Sequence, residues 1–232
     1  MIDWRHYFSG GYYLFASIDS TQNFIHQQAA SAAPVFCRAH QQSGGYGQRQ
    51  AHWQSPAGQL YCSFRVAFDL PSSAFAGLTQ YVALTLAQSL DPEQTFLRLK
   101  WPNDIFTDQG KCGGILLESQ SWRKHTLLTI GIGLNLTQDA AFANLSDSLG
   151  HINAEDALDR FMPELIAALA RWQQTPYLPI NHAWNDYDRY HQQAISLDNG
   201  ETGTALGIDQ RGALIMRQGS DIAFHTQVRI RS

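Results

Sequence analysis

The stretch that most constrains this chain is Leu97-Arg98-Leu99-Lys100-Trp101-Pro102-Asn103-Asp104, followed by Lys111-Cys112-Gly113-Gly114-Ile115-Leu116-Leu117-Glu118. Leu97 and Leu99 alternate with Arg98 and Lys100, the period of two of a half-buried strand. Pro102 has no N–H to donate and holds Trp101 extended, so the strand ends there and Asn103 and Asp104 leave the sheet at a corner. A turn over Thr107-Asp108-Gln109-Gly110 returns the chain as a second strand from Cys112 to Glu118. This hairpin gathers Lys100, Asn103, Asp104 and Lys111 at one end of a sheet. Two ammonium groups, a carboxamide and a carboxylate beside paired glycines suit a phosphate-bearing ligand, because glycine lets the backbone come close. Taken one residue at a time, the same stretch reads as a hairpin with a polar end.

The rest of the chain supplies a scaffold for that hairpin. Residues 12–18 and Val35–Ala39 read as strands, with Asp19-Ser20-Thr21 capping a helix from Gln22 to about Ala30. Gln41 to Trp53 is a loop carrying Gly44, Gly45 and Gly47, and residues 58–63 form the next strand. Leu78, Val82, Leu86 and Leu90 place a helix over 72–90, closed by Asp91-Pro92. A strand follows over Thr126–Leu136, in which Gly131-x-Gly133-x-Asn135 is no dinucleotide fingerprint because it lies inside a strand. A helix from Asn153 with a face of Leu158, Phe161, Leu165, Leu169 and Trp172 comes next, then a short helix over 184–192. Short strands over 195–197, 202–208, 213–216 and 228–230 predict a small β-barrel. The fold class is therefore α+β: a mixed sheet packed with helices over 1–192, then a small barrel over 193–232.

Composition removes several function classes. A net charge of −4 with no run of Lys or Arg argues against a nucleic-acid binder. Cys37, Cys62 and Cys112 form no CxxC pair, which gives neither a zinc knuckle nor a disulfide framework. No secretory signal opens the chain, and no apolar run approaches the ~20 residues of a membrane span. A cytoplasmic protein is expected.

KWPND followed by K-x-G-G-I-L resembles the signature of the biotin–protein ligase family, related to the lipoate ligases and octanoyl transferases. The resemblance extends in order along nearly the whole chain. It covers Asp19-Ser20-Thr21, the glycine loop with Trp53, the Gly-x-Gly-x-Asn strand, and Gly207-Ile208-Asp209 through Gly212-Ala213-Leu214, which is similar to the family's SH3-like C-terminal module. The residues before the first strand leave no room for the N-terminal helix-turn-helix of some members, so no DNA partner is expected.

What the resemblance implies is a two-step reaction. Biotin is activated with ATP and Mg²⁺ as biotinyl-5'-AMP, then joined to a lysine of a biotin carboxyl carrier protein, by a monomer or homodimer. Lys111 and Lys100 become the catalytic candidates. Ser20, Thr21, Gln42, Gly45, Tyr46, Trp53, Lys111 and Gly114 are the biotin-binding set. Gln48, Arg49, Lys100, Asn103 and Asn135 are the nucleotide-binding set, Asp104 is the metal candidate, and Phe142 a candidate to cover the adenine.

One segment departs from the family pattern Gly-Arg-Gly-Arg-x-Gly-Arg-x-Trp. Gly45, Gly47 and Trp53 match, but Tyr46, Gln48 and Ala51 stand where arginines are usual, and Gln50 replaces a glycine. Arg49 occupies the variable position. This departure implies weaker retention of the acyl-adenylate. Three alternatives stay open on the sequence: a lipoate or octanoate ligase, an octanoyl transferase using Cys112 beside Lys111, and a biotin-binding paralogue with weakened catalysis.

Overall fold

The computed structural model describes residues 3–137 and 142–231. The chain builds β1 (Gly11–Phe15), α1 (Thr21–Gln27), β2 (Val35–Ala39), β3 (Leu60–Phe68), α2 (Leu78–Leu90), β4 (Arg98–Lys100), β5 (Asp104–Thr107), β6 (Gly110–Trp122) and β7 (His125–Leu134). These are followed by α3 (Ser146–Leu149), α4 (Ala154–Gln174), α5 (Asn181–Tyr187), β8 (Ala194–Ser196), β9 (Thr202–Ile208), β10 (Leu214–Gln218) and β11 (Asp221–His225). Seven strands form one mixed sheet in the order β1-β2-β3-β7-β6-β5-β4, in which only β1 and β2 run parallel. The other four form an antiparallel sheet, β11-β10-β9-β8, as expected for the SH3-like module.

Strand alternation divides the large sheet into two faces. Leu60, Cys62, Phe64 and Val66 of β3 and Leu128, Ile130, Ile132 and Leu134 of β7 enter the main core with Leu78, Val82 and Leu86 of α2 and Phe161, Leu165 and Trp172 of α4. Ile195, Leu214, Met216 and Ile230 of the C-terminal segment belong to the same core. The opposite face carries Ser63, Gly131 and Gly133, and α1 lies against it. One face is thus devoted to burial, which leaves the other available to a ligand.

The structure corrects several details. The expected hairpin is a three-stranded meander: Asp104 leaves the corner only to begin β5, paired with Lys100 across β4. Pro102 does end β4, and the Trp101–Pro102 peptide is cis. The helix expected over 72–90 starts at Leu78, because Gly77 takes a left-handed conformation (φ 89°) and residues 72–75 form a separate single turn. The strand expected at 228–230 is reduced to one bridge, Leu197 to Ile230, and β11 takes the fourth place. β11 escapes a pattern search because its two large apolar side chains, Ile222 and Phe224, are exposed.

The connection into the central corner is fixed by a single carboxylate. Asp91, 2% exposed, accepts from the backbone N–H groups of Thr95, Phe96 and Leu97 and from the Thr95 hydroxyl, at 2.8 to 3.0 Å. Burial alone would raise its pKa, but these bonds outweigh it and hold the group below the usual aspartate range. Asp91→Ala removes the acceptor of three backbone donors, of which the Leu97 N–H is buried, so we expect a loss of ~2 kcal/mol in urea unfolding at neutral pH. Because the folded pKa is depressed, this contribution is complete above the ordinary value of about 3.9 and vanishes as pH falls through the folded value. The gap between variant and wild type should close on acidification; a gap independent of pH would remove the carboxylate from this role.

Candidate active site

A cavity of about 290 Å³ opens on the free face of the large sheet. Its floor is one row of cross-strand neighbours: Lys100 on β4, Asp104 on β5, Gly114 on β6, Gly133 on β7 and Tyr61 on β3, each paired with the next. The two central glycines make a seat for Trp53, which descends from the loop between β2 and β3. A Cβ on Gly133 would stand 2.9 Å from the indole Cε2 and Nε1 atoms, whereas one on Gly114 would be in ordinary contact at 3.5 Å.

Lys111 reaches the cavity through an irregularity. Counting by twos from Gly114 would point residue 111 into the core. The β5–β6 register shifts at this point, with Gly113 opposite Ile105 but Lys111 opposite Phe106. Cys112 is the extra residue, and the bulge turns Lys111 back to the side of Gly114. Its ammonium group lies 2.5 Å from Asp104 Oδ1 and 5.1 Å from the Trp53 ring centroid. Lys100 is buried at 5% exposure, and burial lowers its pKa; Asp104 opposes this shift, while Lys111 and Arg189 add to it. Asn103 donates from Nδ2 to the Ile115 carbonyl (2.8 Å) and so pins the corner onto β6. All four polar residues of the corner line the same cavity.

The far end of the cavity is a polar pocket at the start of α1. Ser20 caps the helix by accepting from Asn23 N. Gln42 Oε1 accepts from the Thr21 N–H (2.8 Å) and hydroxyl (3.1 Å), and its Nε2 donates to Ser55 Oγ (3.0 Å). Thr21 Oγ also meets Ser63 Oγ at 2.9 Å. Gly45 does not line the cavity. It permits this packing instead, since a Cβ there would lie 2.5 Å from Ser55 Oγ and 2.8 Å from Gln42 Nε2.

Gln22, which lines the cavity, and Glu118, bonded to it from outside the lining, were not foreseen. Gln22 Nε2 donates to Glu118 (2.7 Å), which also meets His26 Nε2 (2.8 Å) and accepts from the Tyr46 hydroxyl (3.3 Å). Burial, and then Glu118, push the Tyr46 phenol up to about 12, so it stays a neutral donor in the ordinary pH range. Gln22 Oε1 and Trp53 Nε1 are buried without a protein partner, an acceptor and a donor left at the cavity wall. The signal was available: Gln22 follows Ser20-Thr21 directly, and Glu118 shares the side of Gly114 at spacing four. Arg229, which also lines the cavity, gave no sequence signal because it comes from the C-terminal segment.

Other expected residues lie elsewhere. Asn135 is buried outside the cavity, its amide donating to the Ala143 carbonyl (3.1 Å). Arg49 turns away toward the Gln227 carbonyl (2.6 Å) and Asp198 (3.5 Å). Phe142 is partly buried and does not line the cavity, while residues 138–141 of its loop lie outside the described residues. Among the described residues no group of three His, Cys, Asp or Glu side chains could hold a metal, and Asp104, the metal candidate, is paired with Lys111. Cys112 is fully buried, its thiol pushed up to about 12 by burial and donating toward the Ile105 carbonyl. It is no nucleophile for a substrate in the cavity.

Fold and cavity together define a ligase-type α+β scaffold with a cationic corner beside a polar head pocket. The sequence model of the Biotin/lipoate A/B protein ligase family matches residues 14–135, and the chain belongs to that family. It is 31% identical over 231 residues to the biotin–[acetyl-CoA-carboxylase] ligase of Paracoccus denitrificans, covering 88% of this chain and 93% of that protein. Against the bifunctional ligase/repressor BirA of Escherichia coli K12 it is 29% identical over 217 residues, covering 87% of this chain and 67% of BirA. In fold it matches the Aquifex aeolicus biotin protein ligase in complex with biotin and ATP, at TM-score 0.79 and 19% identity, covering 95% of this chain and 98% of that one.

The seat of Trp53 can be tested on the protein alone. Gly133→Ala should cost ~1–3 kcal/mol by overpacking against the indole, whereas Gly114→Ala should change stability by less than ~0.5 kcal/mol. Trp53→Ala should relieve most of the Gly133→Ala penalty in a double-mutant cycle followed by urea unfolding. Additive effects would mean that Trp53 does not rest on Gly133.

Proposed function

We propose that this chain is an ATP-dependent biotin–protein ligase. Biotin is activated as biotinyl-5'-AMP, and the acyl group then passes to a lysine of a biotin carboxyl carrier protein, in the cytoplasm. The observation that carries the reading is the meeting, in one cavity, of the Lys100–Asn103–Asp104–Lys111 corner with the Ser20–Thr21–Gln42 pocket. The comparisons support the same chemistry.

In the first step a biotin carboxylate oxygen attacks the α-phosphorus and the bond to the bridging oxygen breaks, releasing pyrophosphate. Negative charge grows on the phosphoryl oxygens, so fixed cations stabilise the transition state more than the ground state. Lys111, held by Asp104 and Trp53, sits where it can bridge the acid and the α-phosphate. Lys100 follows from the floor, and Asn103 fixes the corner between them. Magnesium enters on the phosphates of ATP as part of the substrate. In the second step the carrier amine attacks the acyl carbon, AMP leaves, and the amine loses its proton.

The polar pocket favours biotin over the other acids of the family. Gln22 Oε1 and Trp53 Nε1, buried without a protein partner beside Ser20, Thr21 and Gln42, present an acceptor and a donor that a ureido ring can satisfy and an octanoyl or dithiolane tail cannot. Leaving such buried groups unpaired is the stronger form of discrimination. The transferase alternative is set aside because the Cys112 thiol is buried, with its pKa raised.

Pyrophosphate release from biotin and MgATP is the direct assay. Lys111→Ala should lower its rate by at least ~10²-fold, the usual scale for removing a charge-stabilising donor; an undiminished rate would displace Lys111 from the chemistry. Biotin with ATP should also raise the melting temperature more than lipoate or octanoate with ATP. A larger rise with either other acid would reassign the substrate.

A further inference from the structure

The cationic corner alone is thin for a polyphosphate. Lys100 and Lys111 are its only ammonium groups, and Asp104 offsets one of them, leaving a net single positive charge on that wall. Across from it the loop between β2 and β3 lends no cation to the cavity, since Arg49 is directed to Gln227 and Asp198. A second cleft continues the first, sharing Gln48, Pro102, Leu116 and Arg229, and no acidic side chain lines it. Arg229 is the one charged residue common to both.

Arg229 is half-buried and set in place from two sides. Its backbone N–H donates to Asp198 Oδ1 (3.0 Å), and its Nη2 donates to the Gln48 carbonyl (3.3 Å). A guanidinium has five N–H donors in a rigid fork that matches phosphate oxygens, so this one bond leaves capacity for an anion. Bringing such a group from a different part of the chain closes the cavity on the side the corner does not reach.

We infer that Arg229, from the C-terminal module, binds the phosphates of ATP at the junction of the two clefts. The inference rests on the ligase reading. Arg229 is then a substrate-binding residue of the first half-reaction, and the C-terminal module completes the nucleotide site. The side chain of Gln48 borders the same junction, so an arginine placed there can reach the same phosphates.

The test is initial-rate pyrophosphate release by the full chain, with MgATP and biotin varied separately. Arg229→Ala should raise KM for MgATP about tenfold, roughly one charge-assisted hydrogen bond, and leave KM for biotin within about twofold. Arg229→Gln keeps a donor for Gln48 without the charge, and serves if the alanine variant fails to fold. Adding Gln48→Arg to either variant should restore most of the loss. The wild-type KM for MgATP should rise more steeply with salt than that of the variants. An unchanged KM for MgATP, or an equal rise in both KM values with no rescue by Gln48→Arg, overturns the inference and leaves the ligase reading intact. A wild-type protein that releases no pyrophosphate with biotin, lipoate or octanoate sinks the ligase reading, and this inference with it.

Discussion

One extra residue in a strand decides whether Lys111 reaches this cavity. Without the bulge at Cys112, Lys111 would face Leu134 and the helices behind the sheet, where a charge is costly to bury. With it, Cys112 takes the buried place and Lys111 shares a side with Gly114, Leu116 and Glu118. The glycine at 113 belongs to the same device, since a Cβ there would stand 2.5 Å from a Leu134 methyl. The motif K-x-G-G is thus a description of a bulge: a lysine, a buried residue, a glycine packed on the core and a glycine under the ligand side.

The electrostatics follow from that geometry. Lys100 is desolvated, and the charge of the partly exposed Lys111 adds to the lowering of its pKa. Asp104 lies between them on the neighbouring strand and makes two cations tolerable in one corner before any anion arrives. The Trp53 ring lies 5.1 Å from the Lys111 ammonium group, near enough for a cation–π contact.

How much of this was legible in the sequence depends on range. Alternation, the Pro102 stop and the paired glycines announced a polar strand corner, and Lys100, Asn103, Asp104 and Lys111 do share one cavity. The resemblance added the head pocket at Ser20, Thr21 and Gln42. Local pattern failed where a residue's role depends on a distant partner. Asn135 had the right place in a motif, but its amide holds Ala143. Arg49 is a cation in the right loop, but a positive φ of 57° and a carbonyl at Gln227 point it outward. β5 was invisible because Asp104 and the turn beside it look like loop, and only pairing on both sides makes them strand.

The C-terminal strands bear on the chemistry through packing as well as charge. Trp101 Nε1 donates to the Gly212 carbonyl (2.8 Å), and Arg189 N donates to the Leu99 carbonyl (2.9 Å), so residues beyond α4 hold both sides of the β4 corner. Gln80 of α2 completes the clamp by donating to the Pro102 carbonyl (2.9 Å). Buried residues of β8 to β10 sit in the same core as α2 and the large sheet, which makes the attachment rigid. A module joined this firmly can position a side chain on the cavity as accurately as the sheet does. That is the physical condition a binding residue needs if it is to come from the segment that follows β11.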